Sequence, residues 1–89
     1  MIQQEVVIVN VMGLHARAAA RFVQLASRFR SRVEVSRNGR SANGKSILGL
    51  LMLIGRQGTR LTLRVDGTDE QDAARALADL IAGGFGEAS

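Results

Sequence analysis

Hydrophobic and polar residues alternate in two segments of the chain, and this period of two is typical of half-buried β-strands. The leucines and valine of residues 59–66 occupy every second position, with arginine or threonine between them. Residues 33–36 alternate in the same way, and the dipeptide Asn38-Gly39 just after them favours a two-residue hairpin turn. Residues 2–9 end in four β-branched residues, which favours a strand that is at least partly buried on both faces. The pattern therefore predicts three strands and a fourth that completes the hairpin.

Apolar residues recur at three- and four-residue steps in residues 15–29, which is the spacing of an amphipathic α-helix. The face that we expect to be buried consists of Ala19, Phe22, Val23, Ala26 and Phe29. The opposite face is mostly basic and consists of Arg17, Arg21, Gln24 and Arg28. This helix is therefore expected to bury one side and to present a basic side to water or to a partner.

A second helix is predicted in the short apolar segment 45–55, where the hydroxyl of Ser46 can cap the first turn. The segment has more apolar residues than one buried stripe needs. One set is expected to be buried, namely Leu50, Leu53 and Ile54. At helical spacing another set falls on a different side and is expected to be exposed, namely Ile47, Leu48 and Leu51. An exposed apolar patch of this kind is typical of a docking surface.

A third helix is predicted after Thr68, because Thr68 and Gln71 have the spacing of a capping box and acidic residues follow in the first turn. Its apolar face consists of Ala73, Ala74, Leu77, Leu80 and Ile81. Gly83-Gly84 follows and ends the helix. The predicted order is β-α-β-β-α-β-α. The economical packing of these elements is an α+β fold, with a four-stranded, mostly antiparallel sheet and three helices on one face.

The composition restricts the classes of protein to consider. The chain has 89 residues, which fit one domain. It has no cysteine and one histidine, which excludes disulfides, thiol nucleophiles and metal sites built from thiolates or several histidines. We expect neither a metal nor a cofactor. No apolar run approaches the ~20 residues of a membrane span, and the N-terminus lacks a secretory leader, so we expect a cytoplasmic protein without membrane insertion.

The charge of the chain suggests an acidic partner. The formal net charge is +4, with 12 Lys and Arg residues against 8 Asp and Glu residues. Such an excess is typical of proteins that bind nucleic acid or an acidic protein surface. A small nucleic-acid-binding module is therefore one alternative, although the chain has no Tyr or Trp to stack on bases.

The segment VMGLHARAAARF, residues 11–22, places His15 between a glycine-containing turn and the start of the first helix. The first N–H groups of a helix have no partner within it, and the helix dipole favours an anion there. A phosphate would meet the N–H groups of Ala16 and Arg17 and the guanidinium of Arg17. Since a neutral imidazole is a nucleophile, His15 can serve as a covalent carrier. The same residues also fit a surface histidine, a weak cap or a passive anion site.

Two separate segments, GLHARAAARF and NGKSILGLLML, closely resemble those of the histidine-containing phosphocarrier (HPr) family of the bacterial phosphotransferase system. The resemblance spans nearly the whole chain and implies the open-faced β-sandwich of that family. It implies that His15 receives a phosphoryl group on ring Nδ1 from Enzyme I and passes it to an EIIA-type acceptor of the sugar permeases. It also implies that Arg17 neutralises and orients the phosphate, and that Ser46 is the serine which an HPr kinase/phosphorylase modifies in many bacteria.

The resemblance further implies a surface on which Enzyme I and the acceptors dock. The docking residues expected from it are Ala20, Arg21, Gln24, Ile47, Leu48 and Leu51. An apolar centre with an arginine rim suits a protein partner that is apolar at the centre and acidic around it. We therefore expect that the chain does not bind nucleic acid. We expect no second titratable group to accompany His15 and no acid/base pair, and therefore a stoichiometric carrier and not an enzyme. We also expect a monomer.

The chain departs from the family pattern at three places. Ala18 stands where the family usually has proline, and Met12 where a polar residue is frequent. Proline in a first helical turn removes only an N–H without an intrahelical partner, so alanine is expected to change stability little. The third place is the ending IAGGFGEAS, which resembles those of proteobacterial and nitrogen-branch relatives more than those of the sugar-system type. The downstream pathway is therefore open between sugar uptake, the nitrogen branch and a purely regulatory relative.

Overall fold

The computed structural model describes residues 1–87, and its elements follow the predicted order. The strands are β1 (Ile2–Val7), β2 (Arg32–Arg37), β3 (Arg40–Asn43) and β4 (Arg60–Asp66). The helices are α1 (Ala16–Ala26), α2 (Ile47–Leu51) and α3 (Glu70–Ala82), and a 3₁₀ turn at Gly84–Gly86 follows α3. Over residues 1–87, no helix has the length and apolar character needed to cross a membrane.

The four strands form one antiparallel sheet in the order β1-β4-β2-β3. Val65 on β4 pairs with Ile2 on one side and with Val33 on the other. The β2–β3 hairpin turns at Asn38 and Gly39, whose φ angles are 49° and 82°. Two positive φ angles give a two-residue turn the twist that its strands require. The α+β fold and the hairpin predicted from the sequence are therefore confirmed.

The helices cover one face of the sheet, and the core lies between the two layers. The core side chains that are no more than 2% exposed include Ala19, Phe22, Val33, Val35, Leu61, Leu63, Val65, Leu77 and Ile81. The other face of the sheet is open. On β1 and just after it, Val6 and Ile8 are buried, whereas Val7 and Val9 are 42% and 47% exposed. Burial on this second face is therefore only partial, because the helices cover the other face of the sheet.

Two helices are shorter than their sequence pattern predicts. Phe29 lies beyond the end of α1 and is half-buried. Leu50 and Leu53 are buried as predicted, but Ile54 is 57% exposed and has a left-handed φ of 54°. Helical spacing does not apply to Ile54, because α2 ends three residues earlier. Leu51, which was expected to be exposed, is half-buried against the core.

The start of α3 differs from the predicted capping box. Thr68 is exposed and lies outside the helix, which begins at Glu70. The Asp69 carboxylate accepts the N–H of Ser31 at 3.0 Å and its hydroxyl at 2.5 Å, while making no capping hydrogen bond within α3. The capping box of Thr68 and Gln71 is therefore wrong. Asp69 instead ties the beginning of α3 to the loop that follows α1.

Candidate functional site

His15 lies immediately before the first residue of α1, with an extended backbone (φ −87°, ψ −179°). Its carbonyl oxygen accepts the N–H of Ala19 at 2.9 Å, which begins the helical hydrogen bonds. Its ring nitrogen Nδ1 accepts the N–H of Arg17 at 3.2 Å, so the imidazole caps the helix. A ring nitrogen that accepts a hydrogen bond has its lone pair free of a proton. Nδ1 is therefore the unprotonated nitrogen in this arrangement.

The loop before His15 sets the position of the ring. Gly13 has a φ of 69°, and a Cβ added there would lie 2.5 Å from the carbonyl oxygen of Gly55. The same carbonyl accepts the N–H of Leu14 at 2.8 Å, while His15 donates its N–H to the Gly13 carbonyl at 3.0 Å. Only glycine fits this close backbone approach without strain. The loop delivers the His15 side chain to the surface, where it is 23% exposed.

The second ring nitrogen of His15, Nε2, lies 2.5 Å from the carboxylate oxygen Oε2 of Glu87. Because an ionised carboxylate only accepts hydrogen bonds, Nε2 carries the proton and donates it. The hydrogen bond from His15 holds the pKa of the Glu87 carboxyl below its usual range. Burial opposes this effect by raising the pKa, and the hydrogen bond from Asn10 lowers it further. The expectation that no second titratable group accompanies His15 is therefore wrong. The two residues are 72 positions apart, so their contact depends on the fold.

Buried and half-buried groups hold Glu87 in place. Asn10 is 1% exposed, and its Nδ2 donates to the Gly13 carbonyl at 2.7 Å and to Oε1 of Glu87 at 2.5 Å. Phe85 is fully buried, and its carbonyl accepts a hydrogen bond from the Arg21 guanidinium at 2.6 Å. Sequence reasoning missed both Asn10 and Glu87. A polar residue inside the apolar run VIVNVM was the available signal for Asn10, and no local pattern indicated Glu87.

The groups expected to bind an anion lie at the same end of α1. Ala16 and Arg17 are its first two residues, and both are exposed. In the part of the chain that the structure describes, the Arg17 guanidinium makes no hydrogen bond or ion pair. Within residues 1–87, the guanidinium is therefore available to pair with an anion at the start of α1.

Ser46 precedes α2 and caps it as predicted. Its Oγ accepts the N–H of Gly49 at 3.0 Å, and the side chain is half-buried. The neighbouring Lys45 donates from Nζ to the Phe29 carbonyl at 2.8 Å. This contact ties the start of α2 to the loop after α1. Helices α1 and α2 also pack against each other, and each of them begins at one of the two motifs recognised in the sequence.

The expected docking residues differ in exposure. Leu48 is 71% exposed and Ile47 41% exposed, and Gln24 is also exposed. The half-buried members are Ala20, Arg21 and Leu51. Other exposed apolar side chains come from the loop before His15 and from α2 and its C-terminal end. We refer to these exposed side chains, together with Ile47 and Leu48, as the apolar patch: Val11, Met12, Ile47, Leu48, Met52 and Ile54.

The site combines an imidazole nitrogen that is unprotonated in this arrangement with the N–H groups of a helix start, and the exposed Arg17 of the same first turn carries a positive charge. This combination suits nucleophilic attack on a tetrahedral anion, because the start of a helix and a nearby arginine both favour a bound anion. Over residues 1–87, no cluster of three or more His, Cys, Asp or Glu side chains could hold a metal ion. The chemistry that the arrangement supports is the transfer of a group to and from Nδ1 of His15.

The chain is similar over nearly its whole length to proteins known as phosphocarriers. The family described as PTS HPr component phosphorylation site matches residues 2–83. The phosphocarrier protein HPr of Neisseria meningitidis serogroup A is 53% identical over 87 residues, and the match covers 98% of each chain. The crystal structure of HPr-C-His from Thermoanaerobacter tengcongensis matches over 100% of both chains, with a TM-score of 0.95 and 44% identity. A crystal structure of an HPr dimer from the same organism has a TM-score of 0.78 and 45% identity, and the match covers 98% of this chain and 100% of that one.

Proposed function

The chain belongs to the HPr family of phosphocarrier proteins, and we propose that it carries one phosphoryl group on Nδ1 of His15. The donor is phospho-Enzyme I and the acceptor is an EIIA-type component, as the family resemblance implies, and the relay operates in the cytoplasm. The ring geometry carries the proposal: Nδ1 has an unprotonated lone pair at the start of α1, where it accepts the N–H of Arg17, while Nε2 is hydrogen-bonded to Glu87.

The transfer begins when the Nδ1 lone pair of His15 attacks phosphorus. A nitrogen–phosphorus bond forms, the bond from phosphorus to the donor breaks, and its electron pair leaves with the donor. Once the lone pair is used, the N–H of Arg17 no longer has Nδ1 as its acceptor and can donate to a phosphoryl oxygen. The N–H of Ala16 and the Arg17 guanidinium add a donor and a positive charge on the same side. Within residues 1–87, only Nδ1 of His15 forms or breaks a bond in this transfer, and the chain acts as a stoichiometric carrier that its partners turn over.

The apolar patch and the basic face of α1 support docking of the two partners at this site. Leu48 belongs to the apolar patch and is 71% exposed, while Gln24 and Arg21 belong to the basic face of α1. Of the expected docking residues, Leu51 and Ala20 offer less area because they are half-buried. A partner with an apolar centre and an acidic rim complements this surface. The expected monomer stays a prediction, to be measured by light scattering, because one relative was crystallised as a dimer.

Ser46 is proposed as a regulatory site for an HPr kinase/phosphorylase. Its position beside Ile47 and Leu48 puts any added charge next to the docking residues. A phosphate adds a charge of about −1.5 to −2 at neutral pH. Such a charge repels a partner with an acidic rim, so modification of Ser46 slows transfer to His15.

Incubation with Enzyme I and labelled phosphoenolpyruvate tests the carrier role. We expect one acid-labile phosphoryl group per chain on the wild type and none on His15→Ala. Ser46→Ala serves as the matched control and should retain the label. Absence of label on the wild type, or equal label on His15→Ala, contradicts the proposal.

A further inference from the structure

The hydrogen bond between His15 and Glu87 differs from a solvent-exposed surface contact, because both side chains are mostly buried. The two side chains are 23% and 16% exposed, and Nε2 and Oε2 are 2.5 Å apart. Exposed pairs lose side-chain entropy when they form and contribute little. Here the second carboxylate oxygen is already held by Asn10, which is 1% exposed. Glu87 is therefore positioned before the ring makes use of it.

The chain before Glu87 is folded so that its carboxylate reaches the ring. Gly84 and Gly86 have φ angles of 68° and 78°, and Phe85 between them has a φ of 58°. A bulky residue with a left-handed backbone is strained and persists only when its surroundings impose it. Burial of the Phe85 ring and the hydrogen bond from Arg21 to its carbonyl supply those surroundings.

We propose that Glu87 is a positioning residue for phosphoryl transfer: it keeps the proton of His15 on Nε2, occupies that nitrogen, and so directs the phosphoryl group to Nδ1. This inference rests on the proposed carrier function. An imidazole has two nitrogens, and either can act as the nucleophile when it lacks the proton. A carboxylate that accepts from Nε2 selects one of the two tautomers, as carboxylates beside functional histidines do elsewhere.

The same carboxylate acts during the reaction. When the Nδ1 lone pair forms the nitrogen–phosphorus bond, the donor keeps the electron pair of the broken bond and the His15 ring, still protonated on Nε2, becomes cationic. Glu87 then faces a full positive charge at hydrogen-bond distance, and hydrogen bonds between charged partners are the stronger ones. When the group moves on to the acceptor, the bond breaks, Nδ1 regains its pair and the ring is again neutral. No proton needs to leave Nε2 in either direction.

Long-range ¹H–¹⁵N spectra of the ¹⁵N-histidine-labelled protein test, without any phosphoryl donor, whether Glu87 keeps the His15 proton on Nε2. At a pH where the ring is neutral, the wild type should show protonated Nε2 and unprotonated Nδ1. Glu87→Ala should show a clear population of the Nδ1–H form. Glu87→Gln retains an acceptor oxygen and should restore the Nε2–H form. Glu5→Ala removes an exposed carboxylate on the open face of the sheet and should match the wild type.

Chemical phosphorylation tests, without Enzyme I, whether Glu87 directs the phosphoryl group to Nδ1. The reagent is phosphoramidate, a small phosphoryl donor with a nitrogen–phosphorus bond. The product is assigned to Nδ1 or Nε2 by ³¹P and ¹⁵N NMR. We expect Nδ1 product on the wild type and on Glu5→Ala, and a substantial share of Nε2 product on Glu87→Ala. With Enzyme I, Glu87→Ala should accept the group roughly ten-fold more slowly, and Glu87→Gln at an intermediate rate.

The outcomes separate this inference from the carrier proposal. If Glu87→Ala is folded by circular dichroism but keeps the wild-type ring spectrum and yields only Nδ1 product, Glu87 is a structural tie and the inference is overturned. If Enzyme I does not label the wild type while the tautomer and the phosphoramidate product both change in Glu87→Ala, the carrier proposal fails and the role of Glu87 at the ring stands.

Discussion

The guanidinium of Arg21 donates a hydrogen bond to the carbonyl oxygen of Phe85 across 2.6 Å, and this contact fastens the C-terminal 3₁₀ turn to α1. It gives a residue of the basic face a structural role besides its proposed part in docking. Arg21→Ala removes the donor and leaves a part-buried carbonyl without its partner, which is expected to lower the free energy of unfolding by about 1–2 kcal/mol.

Urea denaturation measures the effect of Arg21→Ala. Arg28→Ala is the matched control, because Arg28 is an exposed arginine from the same basic face and makes no side-chain hydrogen bond within residues 1–87. Its effect should stay within about 0.5 kcal/mol. Equal stabilities of the two variants would show that the Arg21 contact contributes nothing to the fold.

Asp69 makes stability depend on pH. The hydroxyl of Ser31 and the backbone N–H of Arg30 stabilise its charged form, and they hold the pKa of its carboxyl below the ordinary value of 3.8. A lowered pKa in the folded state adds stability above the ordinary value, and this contribution is lost as the pH falls through the lowered one. Asp69→Asn should therefore be less stable than wild type at pH 7, with a gap that narrows steadily below about pH 4.

Thermal unfolding of wild type and Asp69→Asn between pH 2 and 7 measures that gap. Asp72→Asn is the control, since Asp72 is exposed in the first turn of the same helix. A gap between wild type and Asp69→Asn that stays constant with pH would contradict the assignment to ionised Asp69.

Gly13 is predicted to be far less tolerant of a side chain than Gly39, although both have positive φ angles. Alanine in a left-handed conformation costs about 1–2 kcal/mol. At Gly39 nothing lies within 4 Å of an added Cβ, so only this cost applies. At Gly13 the Cβ would lie 2.5 Å from the Gly55 carbonyl, and moving that carbonyl breaks its hydrogen bond with Leu14.

Gly13→Ala should therefore lose at least about 1 kcal/mol more than Gly39→Ala in chemical denaturation. It should also shift the NMR signals of the His15 ring, because the displaced loop leads directly into that residue. A Gly13→Ala variant as stable as Gly39→Ala, with an unchanged ring spectrum, would argue against this account of the loop.

Ala18 is predicted to accept the proline that is usual in the family. It is the third residue of α1, so its N–H has no intrahelical acceptor, and proline there should change the free energy of unfolding by less than about 1 kcal/mol. Ala19 is the matched control, because its N–H donates to the His15 carbonyl at 2.9 Å. Ala19→Pro removes that bond and should cost about 3 kcal/mol. A similar loss in both variants, measured by denaturation, would mean that the proline ring does not fit beside the buried Ala18 side chain.

Local patterns predicted the framework of this fold, because each pattern states a local physical requirement. The alternation around Leu63 needs one buried face, the Asn38-Gly39 pair needs positive φ angles, and the hydroxyl of Ser46 needs a nearby helical N–H. Each of these requirements is met within a few residues of the pattern. The place of the histidine, at a glycine turn before a helix, was predictable for the same reason.

The contacts that complete the site depend on distant parts of the chain. Glu87 meets His15 across 72 positions, and Asp69 meets Ser31 across 38. Nothing in the local sequence distinguishes these carboxylates from solvated ones. Ile54 shows the opposite error, since its apolar character predicted burial, and a left-handed backbone after the end of α2 exposes it.

Ser46 allows the effect of charge to be separated from the effect of capping. Asp, like Ser, accepts a hydrogen bond at an N-cap, so Ser46→Asp should keep the bond from the Gly49 N–H and unfold at nearly the wild-type denaturant concentration. Ser46→Ala loses the cap and should be less stable by about 1 kcal/mol. Only Ser46→Asp places a negative charge beside Leu48 of the apolar patch.

Transfer from phospho-Enzyme I should therefore be slow for Ser46→Asp and normal for Ser46→Ala. The variant that keeps its stability is thus the one expected to lose the rate of transfer. Ser41→Asp controls for charge alone, because Ser41 is exposed on β3 and its side chain lies on the sheet face opposite to that of the buried Ala42. Raising the salt concentration should partly restore transfer to Ser46→Asp, since salt screens repulsion between exposed charges. If Ser46→Asp accepts the phosphoryl group as fast as wild type at low salt, a charge at this position does not act as a switch.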